Sequence, residues 1–242
     1  MRYYKCRTPD GAVLWQEITD DGASVIRLLD ENGDVPESSV VNSYSIESTD
    51  PELWLTELLP AAKQARLARL QTAYEVAVVR DYPSAALGAV HTYPSGLTDK
   101  LYMNARVTQA LVVKSTVPFW QPLVVMPIRN LARPAVWNGW IYICSAAGTT
   151  GAVEPSWPVV KGEQVRDGMA VWMAWEFWTG QFLCKNGGEP VRRSHSPEEI
   201  IQVGMEGAAF VQVQLDRYDA LSAQIEAATD IASLDQLNLI FL

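Results

Sequence analysis

Four residue types that could perform nucleophilic chemistry lie close together in one stretch of the chain. His91, Tyr93, Ser95 and Asp99 occur within HTYPSGLTD, and serine, histidine and aspartate are the side chains of a catalytic triad. A triad is assembled in space and also needs an oxyanion hole, so closeness along the chain is not the relevant test. We expect instead a loop whose side chains bond to the backbone, with Thr98 or Asp99 capping the next helix.

A second stretch places His195 beside Arg192 and Arg193, just before a predicted helix. This cluster could bind an anion. Its position before a helix N-terminus favours a solvated or partner-facing patch.

Metal and cofactor sites have little support in the sequence. Acidic residues near the N-terminus could hold calcium, but they lack the alternating spacing of a dedicated loop, so they are predicted to be turn carboxylates (Asp20, Asp21, Asp30, Glu31 and Asp34). Two histidines exclude a multi-histidine centre, and three cysteines without CxxC spacing indicate reduced buried thiols. The sequence contains no Walker loop, dinucleotide fingerprint or HExxH. We therefore predict no metal, no cofactor and no enzymatic activity.

Composition limits the class of protein further. The chain has 242 residues, 48% of them hydrophobic, and a net charge of −9. This charge argues against nucleic-acid binding, which needs a basic face. No apolar run has the length of a membrane span or the form of a signal peptide. We therefore expect that the chain is made in a cytoplasm and does not insert into a membrane.

The first part of the chain has the pattern of antiparallel strands. The runs RYYKCR, AVLWQEI, ASVIRLLD and SVVNSYSIE are separated by PDG, TDDG and ENGD, which are tight-turn sequences. The acidic residues concentrate here, with four Lys/Arg against twelve Asp/Glu in residues 1–59. We predict a small β domain over residues 1–49, for attachment or assembly.

Helical patterns follow and return at the C-terminal end. Asp50 is a predicted N-cap with Pro51 at the first helical position. Pro60 predicts a break near Leu58, and the helix is expected to end near Asp81 because Pro83 follows. One face carries apolar residues at spacings of three and four (Leu67, Leu70, Tyr74 and Val78).

The last helix has the clearest start in the chain. Ser196, Pro197 and Glu199 form a capping-box pattern. A strip with 4,3,4,3 spacing follows (Gly204, Ala208, Val211, Leu215, Tyr218, Ser222 and Ile225). It is equally compatible with self-association as a coiled-coil seam and with an intramolecular hairpin against the Leu67 to Val78 face. We predict a helical scaffold domain formed by residues 50–114 and 182–242.

Seven of the nine tryptophans fall between these helical segments (Trp120, Trp137, Trp140, Trp157, Trp172, Trp175 and Trp178). The runs PLVVMPI, GWIYICSA and MAVWMAWEFW are typical of strands. We predict an inserted aromatic β module over residues 115–181, making the whole chain α+β. Because so small a module needs dense aromatic burial, Trp157 and Trp172 are assigned to its core. A binding surface would then use Trp137, Trp140, Trp175 and Trp178.

The module's motifs resemble a small β module that recurs in bacteriophage tail proteins. The matching pattern is Tyr-x-Cys, Ala-Gly-Thr-x-Gly, Glu-Pro-x-Trp-Pro, Gly-x-x-Val-x-Asp-Gly and Trp, between Tyr142 and Trp172. Its aromatic spacing is also similar to that of small chitin-binding modules, which present exposed aromatics to sugars.

The flanking segments resemble an uncharacterised helical domain of phage tail-fibre, tail-tip and baseplate proteins. They contain a leading helix, the loop HTYPSG, a Ser start to the last helix and the end QIEAAT, in that order. This resemblance implies a structural protein of the virion whose partners are other tail proteins. It also implies a homo-oligomer, such as the trimers of tail fibres, and contact with a host-surface glycan. A tail-fibre assembly chaperone and a carbohydrate-binding receptor module are the alternatives.

Overall fold

The structure is a computed structural model that describes residues 2–18, 25–36, 45–48, 50, 52–178 and 180–241. It confirms the predicted α+β class with an N-terminal antiparallel sheet. The chain forms two compact units: the terminal unit, Met1–Val78 with Gln212–Leu242, and the central unit, Val79–Val211. The domain boundaries expected at 49/50, 114/115 and 181/182 stay a prediction.

The N-terminal sheet lies in the terminal unit and is formed by four antiparallel strands in the order β3-β2-β1-β4. The strands are β1 Arg2–Arg7, β2 Val13–Ile18, β3 Val25–Asp30 and β4 Ser45–Ser48. Two of the predicted turns use glycine at positive φ, Gly11 at 94° and Gly33 at 76°, a conformation that L side chains avoid. The third turn, at residues 19–22, and the start of the fourth run lie outside the described residues.

Two helices follow the sheet, α1 Leu53–Thr56 and α2 Leu58–Ala77. Their separation at Glu57 confirms the break expected from Pro60. The prediction of Asp50 as N-cap is wrong, because α1 begins at Leu53 with Glu52 at the N-cap. The Asp50 carboxylate instead accepts the Glu52 amide at 3.0 Å before the helix begins, and Pro51 lies outside the described residues. The predicted helix end near Asp81 is wrong: α2 ends four residues earlier.

The reason for this early end is the next element. Strand β5, Tyr82–Ser84, pairs with β6, His91–Tyr93. The chain must leave helical geometry before residue 82 to enter this hairpin, and Pro83 adds to the same requirement.

The core of the terminal unit joins the sheet to helices from both ends of the chain. Helix α4 spans Pro197–Ala227 and α5 spans Ile231–Asp235. The core is built from large apolar side chains that are fully buried (Trp15, Leu29, Leu58, Leu70, Ile225, Ile231 and Leu234).

The central unit contains helix α3, Leu97–Thr116, and the first part of α4. A second hairpin is formed by β13 Gln181–Cys184 and β14 Val191–Ser194. Buried side chains from these elements form one cluster (Tyr82, Tyr93, Ala110, Trp178, Phe182, Cys184, Ile200 and Val203).

A second antiparallel sheet in the central unit has the order β11-β12-β9-β8, and we call it the aromatic sheet. Its strands are β8 Leu131–Ala132, β9 Trp140–Ala146, β11 Gln164–Asp167 and β12 Ala170–Phe177. Beside it, β7 Val125–Met126 pairs with β10 Gly148–Thr149. The run PLVVMPI, expected to be a full strand, therefore contributes only two strand residues.

Helix α4 begins as predicted. The Ser196 hydroxyl accepts the Glu199 amide at 3.2 Å, and the Glu199 carboxylate accepts the Ser196 amide at 2.6 Å. These two bonds are the reciprocal bonds of a capping box.

The strip on α4 makes contacts within the chain at both ends. A Cβ on Gly204 would lie 2.5 Å from the Val107 side chain of α3, so glycine permits this close approach. Near the other end, the Tyr218 ring lies 5.1 Å from that of Tyr74, and Ile225 is in the core of the terminal unit. The hairpin alternative thus describes the second half of the strip, while the first half packs on α3.

Candidate recognition surface

One buried carboxylate holds two tryptophans in place beside the aromatic sheet. Asp167 Oδ2 accepts the indole N–H of Trp120 at 2.7 Å and that of Trp172 at 3.0 Å. Its other oxygen accepts the Gly151 amide at 2.7 Å. Both rings are buried with their N–H groups bonded, so these two tryptophans are structural, as predicted for Trp172.

Trp157 is held by a second carboxylate. Its indole N–H donates to Glu154 Oε1 at 2.7 Å, and the same oxygen accepts the Ala135 amide at 2.8 Å. The Trp157 ring lies 4.2 Å from that of Tyr142. Tyr142 is fully buried and donates its hydroxyl to Pro158 O at 2.7 Å. The motif Glu-Pro-x-Trp-Pro therefore forms one hydrogen-bonded corner.

The four tryptophans predicted to form a binding surface do not share one. Trp140 and Trp178 are only 9% and 7% exposed, so their assignment to the surface is wrong. Trp178 donates its indole N–H to His195 O at 2.9 Å, and Trp137 is half-buried, edge-on to it. Trp175 is 46% exposed and remains available for contact.

Burial alternates along β12: Ala170, Trp172 and Ala174 are buried, so Trp175 is the next residue on the opposite, outward face. The pairing of β12 with β9 shifts between Ala174 and Glu176, which leaves Trp175 unpaired. A bulge interrupts the alternation of a strand, and here Glu176 and Phe177 after it are exposed as well. In the run MAVWMAWEFW, period-2 alternation counted from the core residue Trp172 places Trp175 on the opposite face. This signal was available in the sequence, whereas nothing in the run indicates the bulge.

Trp175 lines a groove between α3 and the aromatic sheet with a volume of about 410 Å³. Phe177, also about half exposed, lines it together with Val112 and the buried Ile141, while Arg106 and Glu176 contribute charges. Phe177 was not among the predicted site residues, although its i+2 spacing from Trp175 is a usable signal. The groove can accept an apolar or aromatic side chain between charges of both signs.

A smaller pocket of about 280 Å³ lies at the N-terminal end of α3. Tyr102, Phe182, Asp99 and Arg192 contribute to its lining. The Tyr102 ring meets Phe182 edge-on at 5.6 Å.

His195 is buried, which overturns its prediction as part of a solvated patch. Its Nδ1 lies 2.9 Å from Arg193 O, which can only accept, so Nδ1 carries the proton. Nε2 then accepts the hydroxyl of Tyr93 at 2.7 Å. Burial lowers the pKa of His195, so the ring is neutral near pH 7. This histidine connects β6 to the segment before α4.

The HTYPSGLTD stretch forms local bonds to the backbone. His91 Nδ1 lies 2.8 Å from Ala89 O. Asp99 accepts the Gly96 amide at 3.2 Å and so caps α3. The backbone bond of His91 and the capping role of Asp99 are as predicted. The expected loop is wrong for His91–Tyr93, which form strand β6, and the Tyr93 hydroxyl bonds the His195 side chain and not the backbone.

The acidic turn near the N-terminus is occupied by hydrogen bonds. Asp30 Oδ1 accepts the amides of Asn32 and Asp34 at 2.8 and 3.0 Å, and Asp34 pairs with Arg66 and Arg69. Asp30 and Asp34 are thus turn and ion-pair carboxylates, as predicted. Asp20 and Asp21 lie outside the described residues.

Clusters of metal ligands and membrane-spanning helices are both absent from the described part of the chain. No group of three or more metal-ligating side chains occurs among those residues. Within the same ranges, no helix is both long and apolar enough to cross a bilayer. All three cysteines are buried and unpaired, and burial raises the pKa of each thiol.

No family model, curated protein or solved structure matches the chain.

Proposed function

We propose that this chain is a structural component of a bacteriophage tail, in the fibre, tip or baseplate, and that it docks a neighbouring protein. The observation that carries the docking role is the groove with Trp175 and Phe177 half exposed. Aromatic side chains in a partly formed pocket are typical anchors of protein interfaces. The tail assignment is supported by two resemblances: the motifs of the aromatic module resemble a phage tail module, and the flanking segments resemble a helical domain of tail proteins.

In this proposal the chain is made in the host cytoplasm and resides in the virion. Its partners are other tail proteins, and the resemblance to tail-fibre components favours a homo-oligomer such as a trimer.

The test is to purify virions from a phage that encodes the chain and to quantify the protein in them by mass spectrometry. We expect the wild-type chain in the particles. Trp175→Ser should reduce its copy number by at least about tenfold, because a central aromatic anchor contributes roughly 2 kcal/mol or more to an interface. The melting temperature of the purified variant should change little, since the ring is half exposed.

Met169→Ser is the matched control, because Met169 is exposed beside the aromatic sheet but does not line the groove. Absence of the wild-type chain from the virions would contradict the structural role and would favour an assembly chaperone. Glycan arrays test the carbohydrate-binding alternative. Binding of a host polysaccharide that is lost in Trp175→Ser would favour the receptor module.

A further inference from the structure

Consecutive residues at the end of β12 line the groove between α3 and the aromatic sheet. Trp175, Glu176 and Phe177 all contribute to its lining. In a regular strand, neighbouring side chains point to opposite faces, so Glu176 would face away from the two aromatic rings. The register shift between Ala174 and Glu176 interrupts this alternation. A carboxylate therefore lines the same groove as two half-exposed rings.

The carboxylate of Glu176 is available to a partner. Its side chain is exposed, and within the described ranges it takes part in no hydrogen bond or ion pair. Two other carboxylates of the aromatic module are engaged instead, since Asp167 and Glu154 accept indole N–H groups. An unpaired carboxylate beside exposed aromatic rings offers a cation both an ion pair and the negative face of a ring.

The two rings differ in how firmly they are held. Phe177 meets the Trp140 ring edge-on at 5.3 Å. A Cβ on Gly139 would lie 2.9 Å from the Phe177 ring, so glycine leaves room for it there. No other ring contacts that of Trp175 among the described residues. A fixed ring beside an open one reduces the cost of ordering the site when a ligand binds.

Helix α3 contributes the opposite charge to the groove lining. Arg106 of this helix donates to Gln109 Oε1 at 2.9 Å, and its guanidinium lies 5.0 Å from the centre of the Tyr102 ring. Arg106 is thus already bonded, whereas Glu176 is not. The chain as a whole has a net charge of −9, which attracts a basic partner and repels an acidic one. These charges favour a cationic occupant placed against Glu176.

We propose that the groove binds an arginine side chain of the neighbouring protein, an inference that rests on the docking role proposed above. The guanidinium pairs with the Glu176 carboxylate and stacks on the Trp175 ring. A planar guanidinium can make both contacts at once, whereas the ammonium of lysine is a point charge. The methylene groups of the arginine contact the Phe177 ring and the apolar floor of the groove at Ile141.

NMR titration of the full chain with a capped Gly-Arg-Gly tripeptide tests the proposal. The amide resonances of Trp175 and Phe177 should shift and saturate with a dissociation constant in the millimolar range, because a single side chain supplies the contact. The same tripeptide with citrulline in place of arginine has nearly the same shape but no charge, and it should bind at least about tenfold more weakly. A lysine tripeptide should bind at least about threefold more weakly.

Glu176→Gln removes the charge and keeps the size of the side chain. It should raise the dissociation constant of the arginine tripeptide at least about threefold, because the ion pair is lost. Glu163→Gln is the matched control, since Glu163 is an exposed carboxylate just before β11 and does not line the groove. It changes the net charge equally and should leave the dissociation constant unchanged. The pair of variants separates a local contact from general attraction to an acidic chain.

Four results would overturn the arginine assignment. They are no shift at up to about 20 mM tripeptide, equal binding of the citrulline tripeptide, equal weakening by the two glutamine variants, and tighter binding of a Gly-Phe-Gly tripeptide. In each case, loss of the Trp175→Ser chain from virions would still support docking at the groove. Conversely, absence of the wild-type chain from virions would contradict the tail assignment and leave arginine binding intact.

Discussion

Asp167 determines how the neighbouring tryptophans are used. A carboxylate bonded to two indole N–H groups and one amide leaves these donors satisfied inside the core. Buried tryptophan is otherwise difficult to accommodate, because its N–H needs a partner. The Asp-Gly pair in the sequence thus has two roles: Gly168, at a φ of 60°, turns the chain, and Asp167 anchors the rings.

Replacing Asp167 with alanine tests this role. The change leaves the N–H groups of Trp120, Trp172 and Gly151 without an acceptor in a buried site. We expect the free energy of unfolding to fall by at least about 3 kcal/mol, since an unsatisfied buried donor costs about 1–3 kcal/mol. Denaturant titration followed by tryptophan fluorescence would measure it.

Glu163→Ala provides the control, because Glu163 is an exposed carboxylate just before β11, where surface substitutions change stability by about 0.5 kcal/mol or less. Asp167→Asn keeps one acceptor oxygen and should fall between the two. Equal losses for Asp167→Ala and Glu163→Ala would show that the carboxylate does not anchor the rings.

At the residue scale, the sequence predicted only in part which aromatic side chains are exposed to solvent. Trp157 and Trp172 were assigned to the core by an argument about module size. Trp140 and Trp178 were misassigned because their burial depends on partners far along the chain, such as His195 for Trp178. His195 was misassigned for the same reason, since its partner Tyr93 lies 102 residues away.

Among the elements, helix α4 provides the sharpest local test. Ser196→Ala removes the hydroxyl that accepts the Glu199 amide. We expect a loss of about 1 kcal/mol in the free energy of unfolding, the usual value for an N-cap serine. Chemical denaturation monitored by circular dichroism would measure it.

Ser194→Ala is the matched control, because Ser194 is an exposed serine in β14, two residues before the cap. It should leave stability within about 0.5 kcal/mol of wild type. A double-mutant cycle with Glu199→Ala should show coupling, since the two side chains bond reciprocally. No difference between the Ser196 and Ser194 variants would contradict the capping role.

Elements whose limits are set by local chemistry were predicted well from the sequence. The break before Pro60, the cap at Ser196 and the glycine turns at Gly11 and Gly33 depend on a few adjacent residues. Element lengths were predicted less well. The early end of α2 and the two-residue β7 depend on pairing with other segments, and the register shift at Trp175 depends on the path of β9.

For the whole molecule, the segments that meet are far apart in sequence. The terminal unit combines the first 78 residues with residues 212–242, and Arg66 of α2 bonds Asp235 at 3.0 Å across 169 positions. Periodicity and capping signals describe one segment at a time and carry no information about such pairing. The α+β class could be predicted because it requires only the element types.

The titrating groups of the molecule give its stability a definite pH dependence. Burial alone would raise the pKa of Asp34, but hydrogen bonds from Arg69 and Arg66 outweigh it and hold that pKa below its usual value. Hydrogen bonds from Ser233 lower the pKa of Asp230. Each carboxylate therefore stabilises the fold above the unfolded pKa of about 4, and that stability is lost as the pH falls through the folded pKa.

His195 also causes stability to be lost as the pH falls, but in a higher pH range than the carboxylates. Burial lowers its pKa in the folded chain. As the pH falls below about 6.5, the unfolded chain therefore binds a proton before the folded chain does, and the free energy of unfolding decreases.

The free energy of unfolding should be level near pH 7 to 8, decrease below about pH 6.5, and decrease again below about pH 4. In His195→Gln the amide can still donate to Arg193 O and accept from Tyr93, but it does not titrate, so the first decrease should disappear while the second remains. Urea titrations at half-unit pH intervals distinguish the cases: an equal slope between pH 6.5 and 5 in wild type and variant would mean that His195 is not the buried neutral group that the structure describes.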